Sequence, residues 1–97
     1  MSQLSFDLEI LESPTNQMAH LLRDMINGKM IAEQNYKYNR FRGSISDLIL
    51  EYNCPIRHKD VDFYNSFGRK SYYRKHYILL IDKDQAIEIY RKINTVP

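Results

Sequence analysis

Arginine and lysine are concentrated in the middle of the chain, in a pattern that suits a phosphate-rich ligand. Residues 29–76 carry a net charge of +5, whereas residues 1–14 carry −3 and the whole chain of 97 residues carries +2. A local excess of positive charge attracts polyanions, and basic side chains contact phosphate oxygens directly. The candidate contact residues are the basic side chains of this region and two nearby serines: Arg40, Arg42, Ser44, Ser46, Arg57, Lys59, Arg69, Lys70, Arg74 and Lys75.

The residues that could support catalysis or bind a metal do not form a recognisable set. His20 lies on a predicted helix, and His58 and His76 lie on opposite strands of a predicted hairpin, with no cysteine or carboxylate at the spacing of a tetrahedral site. Cys54 precedes Pro55 at a helix end, and no third group completes a nucleophile site. A single cysteine has no disulfide partner in the chain. We therefore expect a buried structural thiol, no metal, no cofactor and no enzymatic activity.

Length and composition indicate one globular domain spanning residues 1–97. Hydrophobic residues make up 43% and charged residues 27%, which excludes a typical disordered chain. The longest apolar run is residues 77–81, too short for a transmembrane helix or a signal-peptide core. These features predict a soluble cytoplasmic protein with no membrane partner.

The first half of the chain predicts a strand and then an amphipathic helix. Residues 4–10 alternate apolar and polar side chains, which predicts a half-buried strand in an N-terminal extension of residues 1–12. A helix should follow, with Ser13 or Thr15 as its N-cap and Gly28 at its end. Its apolar stripe has helical spacing and comprises Met18, Leu21, Leu22, Met25 and Ile26. Met30-Ile31 could form a small strand, and residues 32–39 a short helix.

The second half predicts a helix, a β-hairpin and a last helix. Ser44 should cap a helix with Ile45, Leu48 and Ile49 on its inward face, which ends before Pro55. Residues 65–68 form a turn between two strands, of which the returning one covers residues 71–81. Asp82 or Asp84 should cap the final helix, residues 82–95. The apolar stripe of this helix comprises Ala86, Ile87, Tyr90 and Ile93. This stripe either completes the core or forms the interface of a homodimer.

This order of elements, a three-helix unit followed by a hairpin, predicts an α+β fold of the winged helix-turn-helix type. The segment FRGSISDLI at residues 41–49, NCPI at 53–56, and GRK at 68–70 ahead of YIL at 77–79 resemble small winged helix-turn-helix proteins of phages and mobile elements. The resemblance covers residues 15–81. It departs from the family pattern at Ile49, where the family has a basic residue. The resemblance implies duplex DNA binding in gene control, replication or recombination.

The residues favour DNA contact through the hairpin, called the wing in this family, rather than through the helix that would read bases. The outward face of the helix after Ser44 carries Asp47 and Glu51 and no arginine or lysine, so it is a poor reader of the major groove. We therefore expect a small regulator or accessory factor that binds duplex DNA through wing and turn arginines. The alternative is a protein-interaction module, or a phage-encoded inhibitor, that uses the same scaffold without DNA.

The aromatic residues divide into two groups. Four tyrosines at periodic apolar positions are predicted to be core residues: Tyr36, Tyr52, Tyr77 and Tyr90. Phe67, at the tip of the hairpin, is less constrained. It could cap the hairpin locally, anchor a protein partner, or act as a wedge in DNA.

Overall fold

The computed structural model describes residues 11–94, so the strand predicted at residues 4–10 lies outside the described part of the chain. Within it, three α-helices and a three-stranded antiparallel sheet form an α+β fold. The elements in chain order are α1 (Gln17–Ile26), β1 (Ile31–Ala32), a 3₁₀ turn (Glu33–Asn35), α2 (Phe41–Tyr52), β2 (Arg57–Tyr64), β3 (Lys70–Tyr77), a second 3₁₀ turn (Leu80–Asp82) and α3 (Lys83–Ile93). None of the helices in this range is long and apolar enough to cross a bilayer.

The predicted first helix is confirmed as α1, with a different cap. Asn16 is the N-cap, and its side-chain oxygen accepts a hydrogen bond from the Ala19 N–H at 2.8 Å. The prediction of Ser13 or Thr15 as cap is wrong because Asn16 is the cap and the Thr15 side chain is used elsewhere: its hydroxyl donates to the Asn94 side-chain oxygen at 3.0 Å. Gly28 follows the helix with a φ of +92°, a conformation that glycine adopts without steric cost.

The second clear helix, α2, begins four residues earlier than predicted. It starts at Phe41, so Ser44 lies inside the helix and cannot cap it. The Ser44 side chain is buried and accepts a hydrogen bond from the Gln17 amide of α1 at 3.4 Å. Ile45 and Leu48 are buried as expected, but Ile49 is 39% exposed and does not lie on the inward face. Packing against α1 therefore sets the inward face of α2.

The short helix predicted over residues 32–39 is reduced to the single 3₁₀ turn Glu33–Asn35. Ala32 pairs with Lys75 in the sheet, so its backbone is extended and cannot start a helix. The Asn35 side chain accepts a hydrogen bond from the Ala32 N–H at 3.2 Å and fixes the turn. Two α-helices, not three, therefore precede the hairpin in the described chain.

The predicted hairpin is confirmed, and its register defines two faces. The sheet order is β1-β3-β2, and β2 and β3 pair from Arg57 opposite Tyr77 to Tyr64 opposite Lys70. The returning strand stops at Tyr77, four residues before the predicted end. Directly paired residues share a face of an antiparallel sheet, and successive residues alternate between faces.

The core is formed by α1, α2 and α3 around the end of the sheet. The stripe of α3 is buried inside the single chain, with relative exposures of 0% for Ala86, 6% for Ile87, 1% for Tyr90 and 2% for Ile93. It therefore completes the core, the first of the two alternatives, and is not free to form a dimer interface. Among the four tyrosines predicted as core, only Tyr90 is fully buried; the other three are half-buried.

Candidate nucleic-acid interface

All the charged side chains on one face of the hairpin, here called the outer face, are basic. The outer face comprises Arg57, Lys59, Val61 and Phe63 of β2 and Ser71, Tyr73, Lys75 and Tyr77 of β3. Three of these side chains are basic and none is acidic. The opposite, inner face points towards α2, because the ring of His76 lies 5.9 Å from that of Phe41 and Ile56 packs against the core.

The cations of the outer face lack acidic partners. Lys59 lies directly opposite Lys75, and Arg57 follows two residues away on the same face. Among residues 11–94, no carboxylate pairs with any of these three side chains. The Lys75 ammonium lies 5.9 Å from the centroid of the Tyr73 ring, at the outer limit of a cation–π contact. Arg57 and Lys59 are exposed and Lys75 is half-buried, so most of this positive charge is available to an external anion.

The cations of the inner face are paired with acids. Arg74 donates from Nε to the Asp60 carboxylate at 2.8 Å, and the Lys70 ammonium lies 3.5 Å from Asp62. The hydrogen bond from Arg74 lowers the pKa of Asp60, as expected for a carboxylate whose charged form is stabilised. The six basic residues of the hairpin therefore lie on different surfaces: the register places Lys70 and Arg74 on one face and Arg57, Lys59 and Lys75 on the other, and Arg69 lies in the connecting turn.

Two histidines face each other across the inner face. His58 pairs directly with His76. Burial lowers the pKa of His76, and the neighbouring His58 and Arg74 lower it further, so the ring favours its neutral form. No set of three or more histidine, cysteine, aspartate or glutamate side chains in the described residues could hold a metal ion. Cys54 is buried as predicted, and burial raises the pKa of its thiol to about 12.

The arginines at the start of α2 are exposed and already paired. Arg40 lies 3.8 Å from Asp47, and the Nε of Arg42 donates to Glu33 at 3.0 Å. Exposed ion pairs of this kind contribute about 0–1 kcal/mol, so a phosphate can displace the carboxylate at small cost. Ser44 is buried and does not reach the surface, which removes it from the predicted contact set; Ser46 is exposed.

A groove separates α2 from the inner face of the hairpin. It has a volume of about 800 Å³, and Arg42, Ser46 and Arg74 lie on its walls. Ile49 and Leu50 also line it, and Leu50 is 79% exposed. We call it the α2 groove. Its charged residues are of both signs, so it lacks the uniform positive charge of the outer face.

A polar cluster that the sequence reasoning missed fixes the segment ahead of α2. The Tyr36 hydroxyl donates to the Asp24 carboxylate at 2.5 Å, and His20 lies 3.6 Å from the same carboxylate. The Tyr38 hydroxyl lies 2.5 Å from the other ring nitrogen of His20. Burial and Asp24 raise the pKa of Tyr36. The spacing of His20 and Asp24, four residues apart on one helix face, was the available signal. The cluster anchors residues 36–40 to α1 and so positions the arginines at the start of α2.

Comparison with known proteins adds no relative. No protein-family model, curated protein or solved structure matches the chain. Three helices and a three-stranded antiparallel sheet with a long hairpin are compatible with a winged helix. The winged helix-turn-helix family remains a prediction from the residues.

Proposed function

We propose that the protein binds duplex DNA, and that the outer face of its hairpin contacts the phosphate backbone. The observation that carries this proposal is the pair Lys59 and Lys75, directly opposite each other with Arg57 beside them and, among residues 11–94, no carboxylate paired with any of the three. Like charges at directly opposite positions destabilise a sheet. An anion that lies across both ammonium groups removes that cost. On the inner face of the same hairpin, Asp60 lies opposite Arg74 and neutralises its charge within the chain. No ligand is proposed for that face.

The density of positive charge suits a backbone rather than a single small anion. Arg57 and Lys59 are two residues apart along β2, a separation of roughly 7 Å, and Lys75 adds a third charge across the ribbon. Duplex DNA carries one negative charge per about 1.7 Å of its axis, so several phosphates fall within reach of such a patch. Binding of this kind releases counterions and weakens steeply with salt.

The exposed side of α2 supports backbone contact with little base reading. Beyond Arg42 it presents Ser46, Ile49, Leu50 and Glu51, which do not offer the paired donors that read guanine or adenine in the major groove. Phosphate contacts position a protein but carry no sequence information. The proposed protein is therefore a small cytoplasmic regulator or accessory factor with weak sequence preference, of the phage and mobile-element winged helix-turn-helix class that its residues resemble.

Two variants with the same change in net charge test the assignment. In the outer-face variant, Arg57, Lys59 and Lys75 are replaced by alanine. In the inner-face variant, the paired cations Lys70 and Arg74 of the inner face and Arg42 of α2, which lines the same groove as Arg74, are replaced by alanine. Fluorescence anisotropy with a duplex of about 20 base pairs is measured from about 50 to 200 mM salt, the range over which phosphate contacts dominate.

The outer-face variant should lose up to about 2.7 units of the slope of log K against log salt, because each phosphate contact contributes about 0.9. The inner-face variant should lose less than half of that. Equal losses in the two variants would show that only net charge matters, and an unchanged slope in the outer-face variant would refute the proposal.

A second candidate function is a protein-interaction module, favoured by the exposed Ile49 and Leu50 beside the α2 groove. These two residues make the exposed side of α2, the helix that would enter the major groove of DNA, apolar rather than basic. Failure of the wild-type protein to bind any duplex at about 20 mM salt, where phosphate contacts are strongest, would favour this candidate.

The homodimer remains a prediction, and sedimentation at 11.7 kDa at high concentration would exclude it.

A further inference from the structure

Phe67 stands at the tip of the hairpin, well separated from the body of the protein. Its side chain is 87% exposed. The strand β1 pairs only with Lys75 and His76, so the hairpin beyond Arg74 is a two-stranded ribbon. Four further residues lead from Asp60 to the end of β2, a projection of roughly 13 Å before the turn begins. A phenylalanine at such a position is presented to a partner rather than to the core.

The turn that carries Phe67 is fixed by hydrogen bonds. The Asn65 side-chain oxygen accepts from the N–H groups of Phe67 at 2.9 Å and Arg69 at 3.0 Å. The Gly68 N–H donates to the Asn65 carbonyl at 2.9 Å, and Gly68 has a φ of +77°. Asn65 and Gly68 therefore satisfy the turn, and nothing in its geometry requires an aromatic side chain at residue 67. The backbone that carries the ring is therefore held in place before any ligand arrives.

The charge around Phe67 favours DNA as its partner. Arg69, two residues along, is exposed and has no acidic partner among the described residues. The outer-face cations lie on the same hairpin, at the end nearer the body of the protein. Proteins that bind the minor groove often insert an apolar side chain between base pairs and hold the flanking backbone with arginine or lysine.

We infer that Phe67 acts as a wedge: it inserts from the minor groove between two stacked base pairs, and Arg69 contacts the backbone beside it. This inference rests on the proposed function and specifies its ligand as duplex DNA that contains an easily unstacked step. Pyrimidine–purine steps such as TA kink most readily, so they are the preferred insertion sites. The wedge bends the duplex and supplies a sequence preference that α2 does not.

The experiment measures bending and affinity on the same DNA. A duplex of about 30 base pairs with one central TA step carries fluorophores at its ends, and a second version carries 2-aminopurine at the step. Wild-type protein should shorten the end-to-end distance and raise the 2-aminopurine fluorescence as the step unstacks. Phe67→Ala should abolish both signals and bind about tenfold more weakly, which corresponds to about 1.4 kcal/mol. Its salt slope should stay at the wild-type value.

Two further variants control this result. Phe67→Leu retains an apolar wedge and should keep most of the bend. Leu80→Ala deletes another exposed apolar side chain, 83% exposed in the turn before α3, and should bind and bend DNA as the wild type does.

The outcomes separate the wedge from the proposed function. Salt-dependent binding with no bend in the wild type, or with the same bend in Phe67→Ala, would overturn the wedge and leave the backbone contact standing. Absence of any binding to duplex DNA at low salt would overturn both.

Discussion

Replacing Lys59 by glutamate should change stability and DNA binding in opposite directions. Lys59 is exposed and lies directly opposite Lys75 on the outer face. In the folded protein the substitution turns a like-charge cross-strand pair into an opposite-charge pair. In the proposed complex it places a carboxylate against phosphate.

The expected magnitudes follow from the pairing. Cross-strand charge pairs contribute roughly 0.2–1 kcal/mol, and solvent screening at this exposed position favours the lower part of that range. Lys59→Glu should therefore raise the free energy of unfolding by about 0.5 kcal/mol. The same change should weaken duplex binding about tenfold or more and reduce the salt slope by about one unit, because one phosphate contact is lost.

Urea unfolding measures the first effect and fluorescence anisotropy at several salt concentrations the second. Lys37→Glu is the matched control: it makes the same charge change at an exposed lysine that lies outside the hairpin. It should leave the salt slope close to the wild-type value. Equal slopes for the wild type and Lys59→Glu would refute the outer face as the DNA surface. A loss of stability greater than about 1 kcal/mol would refute the register that places Lys59 against Lys75.

Three further predictions concern the fold itself. Leu48→Ala, at a fully buried position of α2, should lower the free energy of unfolding by about 2–5 kcal/mol. Leu50→Ala, on the exposed side of the same helix, should change it by less than about 0.5 kcal/mol. Equal effects of the two variants in urea unfolding would contradict the assigned faces. Tyr36→Phe removes the hydrogen bond donated to Asp24 and should cost about 1–2 kcal/mol by the same assay; a cost near zero would show that the cluster does not anchor the segment. Because the pKa of His76 is lowered in the folded protein, the His76 ring is protonated at a higher pH in the unfolded chain, near 6.5, than in the folded protein. The unfolding free energy should therefore be highest above that pH and fall as the pH drops through the folded-state pKa, less steeply in His76→Phe; identical pH profiles would contradict this.

The sequence predicted those elements whose signal is local. The stripe of α1 and the stripe of α3 follow the helical repeat, so the same side chains are buried whichever surface covers them. The turn at residues 65–68 was predictable because Asn65 and Gly68 provide the side-chain acceptor and the positive φ that a tight hairpin needs. The buried thiol of Cys54 was also expected from its place at the end of a helix.

Where the sequence was compatible with two local structures, the tertiary structure determined which one formed. Residues 32–39 have helical composition, but pairing of Ala32 with Lys75 commits the first of them to the sheet. Ser44 is a good N-cap by residue type, yet contact of Phe41 with the sheet extends the helix backwards and buries the serine. A polar residue that can either cap or enter a helix is placed by packing, which is not a local property.

The division of charge between the faces of the hairpin is the clearest case of this kind. The sequence determined that residues 57–77 carry basic side chains and return on themselves. Only strand register assigns Lys59 and Lys75 to one face and Arg74 with Asp60 to the other. A shift of one residue would exchange every side chain between core and solvent, and no single-strand pattern fixes it when both faces carry charge. Packing of His76 on Phe41 and of Ile56 on the core sets which face is turned towards α2, and leaves the three cations of the other face without acidic partners among residues 11–94.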